Sequence, residues 1–573
     1  MKGRKKMKFS EMPYERIDKE EISKTVKEFT KRLKGATSFE EAKKVFEEFD
    51  VYDRHIDTNY TIAYIRHDID TNDKFYDAEI DYWNETMPAL EAEWQEWKDA
   101  LLESPFRKDL EKEYGDIIFV NAELDKKSFT PEMIPELQQE AKLSTEYGKL
   151  IASAQIPFEG GVYTLSQLTP FKTDADDARR EAAWKAEGAW YKEHKEKLDQ
   201  LYDDLTKVRT SMGRKLGMED YVTLGYYKMH RNCFDKKDVE KFRTAVVKYL
   251  VPVATEIRKK QAERLNMQYP LSYSDMALEF RSGNPKPQGS AEDILNAGQK
   301  FYDELSPETS KFFRTMRENE LLDVLSKTGK AGGGYQAPLY DYKLPFIFAN
   351  FNGTQGDVEV VTHEAGHAFE DYMNEHRVPS STVCPGMEGA EIHSMSMEFF
   401  AWPWAEEFFG DDTLKYLYSH LAGALLFIPY GTMVDHFQHI NYENPDMTPK
   451  QRDAKWKELT GIYMPWVRLD GKIPFYGEGM AWQRQSHIYE RPFYYIDYCL
   501  AQTVALEFWA MIQDNRQAAW DKYMTYLIQG GSDTVLAMLK RADVKSPFEE
   551  ETLKGVCEKA KDWLDSFDMS GIE

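Results

Sequence analysis

The sequence predicts a mainly α protein with a small sheet beside a single chemical centre. Three observations carry this. Apolar residues recur three or four apart over long stretches, as at Trp83, Met87, Leu90, Trp94 and Trp97. Asp357 to Arg377 runs without a proline and sets Val358, Val360, Val361, Ala365, Ala368 and Phe369 beside polar residues. Tyr340 to Asn352 is rich in aromatic and apolar residues, is bounded by Pro338 and Gly353, and reads as a strand region.

Taken in order, Lys19 to Tyr114 is helical throughout, and its aromatic stripes are helix core. Asp116 to Asn121 is a short strand or a helix end. Leu137 to Leu150 and Asp174 to Leu216 are long helices, with a turn and short strand at Gly160 to Leu165 between them. Tyr221 to Arg231 gathers Tyr226, Tyr227, His230 and Arg231, amphipathic side chains that pack on a core or line a channel. Arg281 to Ser290 is a Gly/Pro-rich loop, Ser310 to Leu325 is helical, and Lys330 to Tyr335 is a flexible glycine run. After the 357–377 helix, Pro379 and Cys384-Pro385-Gly386 break the chain, and Glu391 to Trp404 forms a second helix on the stripe Ile392, Met395, Phe399, Ala401. No repeat is visible. The expected division is a helical region over 1–200 and the chemically equipped region over 201–573.

Composition narrows the class. With 573 residues, 42% hydrophobic and 14% aromatic, the chain can bury a large core. A formal charge of −25 argues against nucleic acid or an anionic membrane as partner. Cys233, Cys384, Cys499 and Cys557 are far apart and read as free thiols. The basic stretch Met1 to Lys8 lacks the apolar segment of a secretory signal, and the longest apolar run, Leu421 to Tyr430, is too short to span a bilayer. A cytoplasmic location is expected.

The chemistry centres on His363-Glu364-Ala365-Gly366-His367. Two histidines four apart on a helix share one face, so both imidazoles can reach one zinc ion. Glu364 then lies beside the open coordination position, where it can take a proton from water activated by the metal. Such a site needs a third protein ligand. The candidates are Glu370, Glu375, His376, Glu388, Glu391, His393 and Glu398. Glu370 and Glu375 lie on or just past the same helix and cannot curl back. Glu391 opens the second helix and is taken as the ligand. Glu398, two turns on along the same face, is either a partner to a ligand or an ordinary buried carboxylate. His436 and His439 lack a completing ligand and read as structural.

Three segments together resemble the thimet-oligopeptidase family of zinc metallopeptidases, and within it the oligoendopeptidase F branch. They are Pro345 to Gly353, His363 to Phe369, and Glu391 to Phe400. The resemblance is strong over about 201–564 and looser from about Asp116. It implies one Zn²⁺ per chain held by His363, His367 and Glu391, and two helical lobes around a deep channel. It implies that Ala349 to Asn352, with Ala349, Asn350 and Asn352 as the binding residues, form a strand edge that pairs with extended substrate. In related peptidases a histidine and two tyrosines three apart stabilise the oxyanion; the matching positions are His487, Tyr495 and Tyr498, with Tyr495 assigned to substrate. The implied activity is endopeptidase cleavage of short unfolded oligopeptides. Two other readings fit the same residues: a zinc exopeptidase, or a peptide-binding protein with a dead site.

Overall fold

The computed structural model describes residues 7–327 and 329–572. Helices dominate, with five short strands among the described residues. The predicted fold class stands.

Six helices from Lys19 to Ser128 pack around Phe46, Phe49, Trp83, Trp97, Leu101 and Phe119. Local chemistry sets their starts. Asp18, Ser38 and Asp73 each accept hydrogen bonds from backbone N–H groups of the first turn that would otherwise lack partners. Of the expected stripe, Trp83, Leu90 and Trp97 are buried, and the Trp97 ring stacks on Phe49 at 3.9 Å. Each such aromatic contributes about 1.5–3 kcal/mol by leaving water. The 116–121 stretch is the start of a helix, Ile117–Ser128, rather than a strand. The 31-residue helix Phe39–Ile69 bridges two cores: Phe46 and Phe49 belong to the N-terminal one, Ile62 and Ile65 to the larger one.

The larger core surrounds helices Thr413–Glu443 and Tyr495–Leu527. The stretch Trp402–Glu443 is long and apolar enough to cross a bilayer, yet 78% of its apolar window is buried inside the fold, so it serves as a core element.

Strands β1 (Ile156–Phe158) and β2 (Gly161–Tyr163) form a hairpin. Strands β3 (Leu322–Leu325), β4 (Tyr335–Leu339) and β5 (Leu344–Phe351) form the sheet next to the site, in the order β3-β5-β4. β3 runs parallel to β5, and β4 antiparallel with Tyr335 opposite Phe348. The helix expected over 310–325 ends at Glu318, and its last four residues are β3 instead. β5 turns directly into the motif helix, Gly356–Asn374. Asp357 fixes that turn by accepting from the backbone N–H of Asn352 (2.9 Å) and Gly353 (2.8 Å).

Candidate active site

Between Val361 and Tyr372 every residue of the motif helix is buried except three: His363, Glu364 and His367. Over this span the helix therefore presents to the accessible side the residues the spacing singles out. The second helix, Met387–Phe400, crosses directly behind it. Gly366 makes that approach possible. A Cβ there would sit 2.7 Å from Ser394 Cα and 3.1 Å from the His393 carbonyl oxygen, a clash of the kind that costs about 1–3 kcal/mol. The close crossing delivers Glu391 to the histidines.

Nε2 of His363 and Nε2 of His367 each lie 3.2 Å from Glu391 Oε2, with the two rings nearly perpendicular. All three donor atoms fall within 4.8 Å of one another. Two imidazoles and a carboxylate are the donor set of many zinc sites. The local field also calls for positive charge at this point. Burial opposes a charged His363, yet Glu391 and Glu398 outweigh it and hold the imidazole well above its ordinary pKa. A divalent cation would supply the same charge.

Glu398 orients His363. Its Oε1 accepts from His363 Nδ1 at 2.6 Å and its Oε2 from His420 Nε2 at 2.7 Å. Trp402 Nε1, which can only donate, donates to His420 Nδ1 at 2.9 Å. The proton of His420 must then be on Nε2, and Glu398 holds a His363 proton on Nδ1, so a cation that displaces the Nε2 proton would meet a lone pair facing His367 and Glu391. Burial works against the Glu398 charge, but His363 and His420 hold its carboxyl down to about 2, so it is ionised. Both its partners donate. A Glu398→Gln side chain would offer one oxygen where two are needed and turn an amide N–H against an imidazole N–H. It is expected to weaken zinc binding roughly 10–100-fold, read by competition with a chromophoric chelator. Unchanged affinity would show that this carboxylate does not orient the ligand.

A tyrosine cluster faces the same carboxylate. Tyr494 donates to Glu391 Oε1 at 2.6 Å, so the two oxygens of Glu391 are divided between Tyr494 and the histidine pair. Tyr498 Oη lies 3.3 Å from His487 Nε2. Tyr430 donates to Gln485 Oε1 (2.9 Å), which orients the Gln485 amide to donate to His487 Nδ1 (2.8 Å). Burial and Arg491 push the His487 pKa down to about 4, so the ring is neutral at pH 7 with its proton on Nε2, toward Tyr498. The Tyr498 hydroxyl also pairs with that of Tyr494. Burial raises the Glu364 carboxyl above the usual range against the pull of both histidines. A Cβ on Gly334 would lie 3.9 Å from Glu364 Oε1, so the glycine run passes alongside this carboxylate.

Comparison with known proteins assigns the chain. The sequence pattern described as Peptidase family M3 matches residues 171–557, and that of the Peptidase M3 N-terminal domain matches 9–129. The chain belongs to peptidase family M3. A solved structure of PZ peptidase A with an inhibitor is 44% identical, with a TM-score of 0.95 over 98% of this chain and all (100%) of that one. Oligopeptidase PepF of Bacillus subtilis (strain 168) is 24% identical over 272 residues, 46% of this chain and 39% of PepF. An oligoendopeptidase F homolog of Borreliella burgdorferi is 26% identical over 297 residues, 49% of this chain and 48% of the homolog. The matched part spans less than half of either curated relative.

Within this M3 chain Ala349 and Asn350 lie at the end of β5, the central strand of its sheet, past Phe348, the last residue paired with β4, and Asn352 lies just beyond the strand. The Ala349 carbonyl accepts from Lys330 Nζ at 2.6 Å. Asn350 donates to the carbonyls of Ala331 and Gly333, and Asn352 Oδ1 accepts from Thr354. These residues build the sheet and tether the glycine run. The edge beside the site belongs to β4. Tyr495 packs on Tyr430, Phe427 and His487, while its neighbour Tyr494 reaches Glu391. His393 turns away, its ring against Tyr526 at 5.0 Å. His439 is held by Tyr226 and Arg243, and His436 by Tyr463, in keeping with structural roles. Sequence reasoning missed Tyr494, His420 and Trp402. The doubled tyrosine at 494–495 was the only signal for the first.

Proposed function

We propose that this chain is a zinc-dependent endopeptidase that cuts internal bonds of short unfolded oligopeptides. The observation that carries the reading is the convergence of His363, His367 and Glu391 on one point, with the Glu364 carboxylate beside it. His363 Nε2, His367 Nε2 and Glu391 Oε2 would hold the ion. Bound there, zinc supplies Lewis acidity, polarising the scissile carbonyl and making water acidic enough to lose a proton near neutral pH. Glu364 takes that proton and delivers it to the departing amine nitrogen. Tyr498, whose hydroxyl pairs with Tyr494 when no substrate is bound, would turn its hydrogen to the oxygen that becomes negative. The free edge of β4, continuous with Gly334 beside Glu364, would hold extended substrate backbone while tolerating varied side chains.

A channel accounts for the restriction to short peptides. Burial raises the phenols of Tyr60 and Tyr64 on the helix Phe39–Ile69, and the Arg491 guanidinium pulls back on both, which supports two walls facing each other. Glu490 next to Arg491 keeps accessible surface, yet burial pushes its carboxyl up to about 7. A group surrounded by protein but reached by water fits a channel lining.

The test is a length ladder of unstructured peptides incubated with the zinc-loaded protein, with products mapped by mass spectrometry. Internal cuts with an upper length limit are expected. Products trimmed from one terminus only would replace the reading with an exopeptidase. No cleavage at full zinc occupancy would leave a peptide-binding protein.

A further inference from the structure

The turn that precedes Tyr494 is held from outside the site. Phe493 has φ +68°, in the left-handed region that bulky L-residues seldom occupy. Both of its backbone groups are engaged by side chains from distant elements. Its N–H donates to Gln438 Oε1 at 2.9 Å, and its carbonyl accepts from Arg231 Nη2 at 2.6 Å. The same guanidinium lies 3.0 Å from Asp497 Oδ1, in the first turn of the following helix, and both side chains of this ion pair are 1% exposed. The Phe493 ring packs among Tyr226, His439 and Tyr442, and only a glycine at 225 leaves room for it, since a Cβ there would stand 2.5 Å from the ring. One residue later, Tyr494 meets Glu391 Oε1. Arg231 itself has no bond to His363, His367, Glu364 or Glu391 among the described residues.

We propose that Arg231, acting with Gln438 and Asp497, is a positioning residue that locks the Phe493 backbone in its left-handed conformation and so holds the Tyr494 hydroxyl on the metal-ligand Glu391. This rests on the metallopeptidase reading of the site. Tyr494 leaves Glu391 with one oxygen for the ion, and the clamp fixes where that oxygen stands. Loss of the clamp lets residue 493 return to an ordinary φ, which swings Tyr494 away.

The experiment is a double-mutant cycle on zinc affinity of the full chain, stripped by chelator and titrated against a chromophoric competitor. Arg231→Gln is combined with Asp497→Asn so that no unpaired charge is left buried. Both this pair and Tyr494→Phe are expected to weaken zinc roughly 10–100-fold, the usual effect of a partner outside the ligand shell. Combining them should add nothing further, because both remove the same bond. Gln438→Met should weaken zinc in the same direction while leaving the ion pair intact. Equal zinc affinity in wild type and the paired variant, with only a lower melting temperature, would make the clamp merely structural and overturn the proposal. Multiplicative losses would overturn it too. A wild-type chain that takes up no zinc would sink the metallopeptidase reading first, and this inference with it.

Discussion

Glu364→Gln is expected to lower kcat by about 10³–10⁴-fold on any peptide the wild type cleaves, with zinc content unchanged. Glutamine has nearly the same shape and can fill the same space, but it cannot take a proton from water or give one to the leaving nitrogen. General acid–base assistance is typically worth about 10²–10⁴-fold, and here one carboxylate serves both transfers, so the upper part of that range applies. A loss of 10³ corresponds to about 4 kcal/mol of transition-state stabilisation. Zinc should be retained because the three donor atoms come from His363, His367 and Glu391. Folding stability should hold or rise, since burial already disfavours the Glu364 charge and the amide removes it. Steady-state kinetics, zinc analysis and a melting curve on the same preparation separate these effects. A variant that keeps more than a tenth of wild-type kcat would exclude Glu364 as the proton carrier.

The centre of this site was legible because helix geometry is local. Residues 363 and 367 share a face by the 3.6-residue period alone, and the stripe through Ile392, Met395 and Phe399 identified the helix that carries Glu391. What the sequence hid is set by contacts between distant segments. Tyr494 rather than Tyr495 reaches Glu391 because Phe493 adopts a positive φ, and no glycine marks that turn; Arg231 imposes it from 262 residues away. His420 and Trp402 join Glu398 through tertiary packing and lie in no motif. The central place of β5 in its sheet was hidden for a related reason. A strand's free side depends on its neighbours, and β3 was hidden as four residues continuing a helical stretch. In the N-terminal region the stripes gave the helices, but periodicity does not say which faces meet, such as the stacked pair Phe49 and Trp97.

Glu391→Gln tests the metal assignment from the side of stability. A ligand that binds only the folded chain stabilises it by RT ln(1 + [L]/Kd), about 4.1 kcal/mol when free zinc is a thousandfold above Kd. For a chain of this length unfolding as one unit, that corresponds to roughly 3 °C in Tm. Wild-type protein should therefore melt several degrees higher with zinc than after chelation. Glu391→Gln should lose that difference, with zinc affinity down by on the order of 10³-fold or more, beyond the 10–100-fold expected of partners outside the ligand shell. The reason lies in the geometry: among the described residues, Oε2 of Glu391 is the carboxylate oxygen that both Nε2 atoms face, at 3.2 Å each. The amide keeps an oxygen but loses the negative charge that balances the cation, and its N–H₂ competes for the Tyr494 hydroxyl. Unliganded, the variant should be no less stable than wild type by more than about 1–3 kcal/mol, the cost of one buried polar group left unpaired. Glu391→Gln protein that still shows the full zinc-dependent rise in Tm would place the third ligand elsewhere.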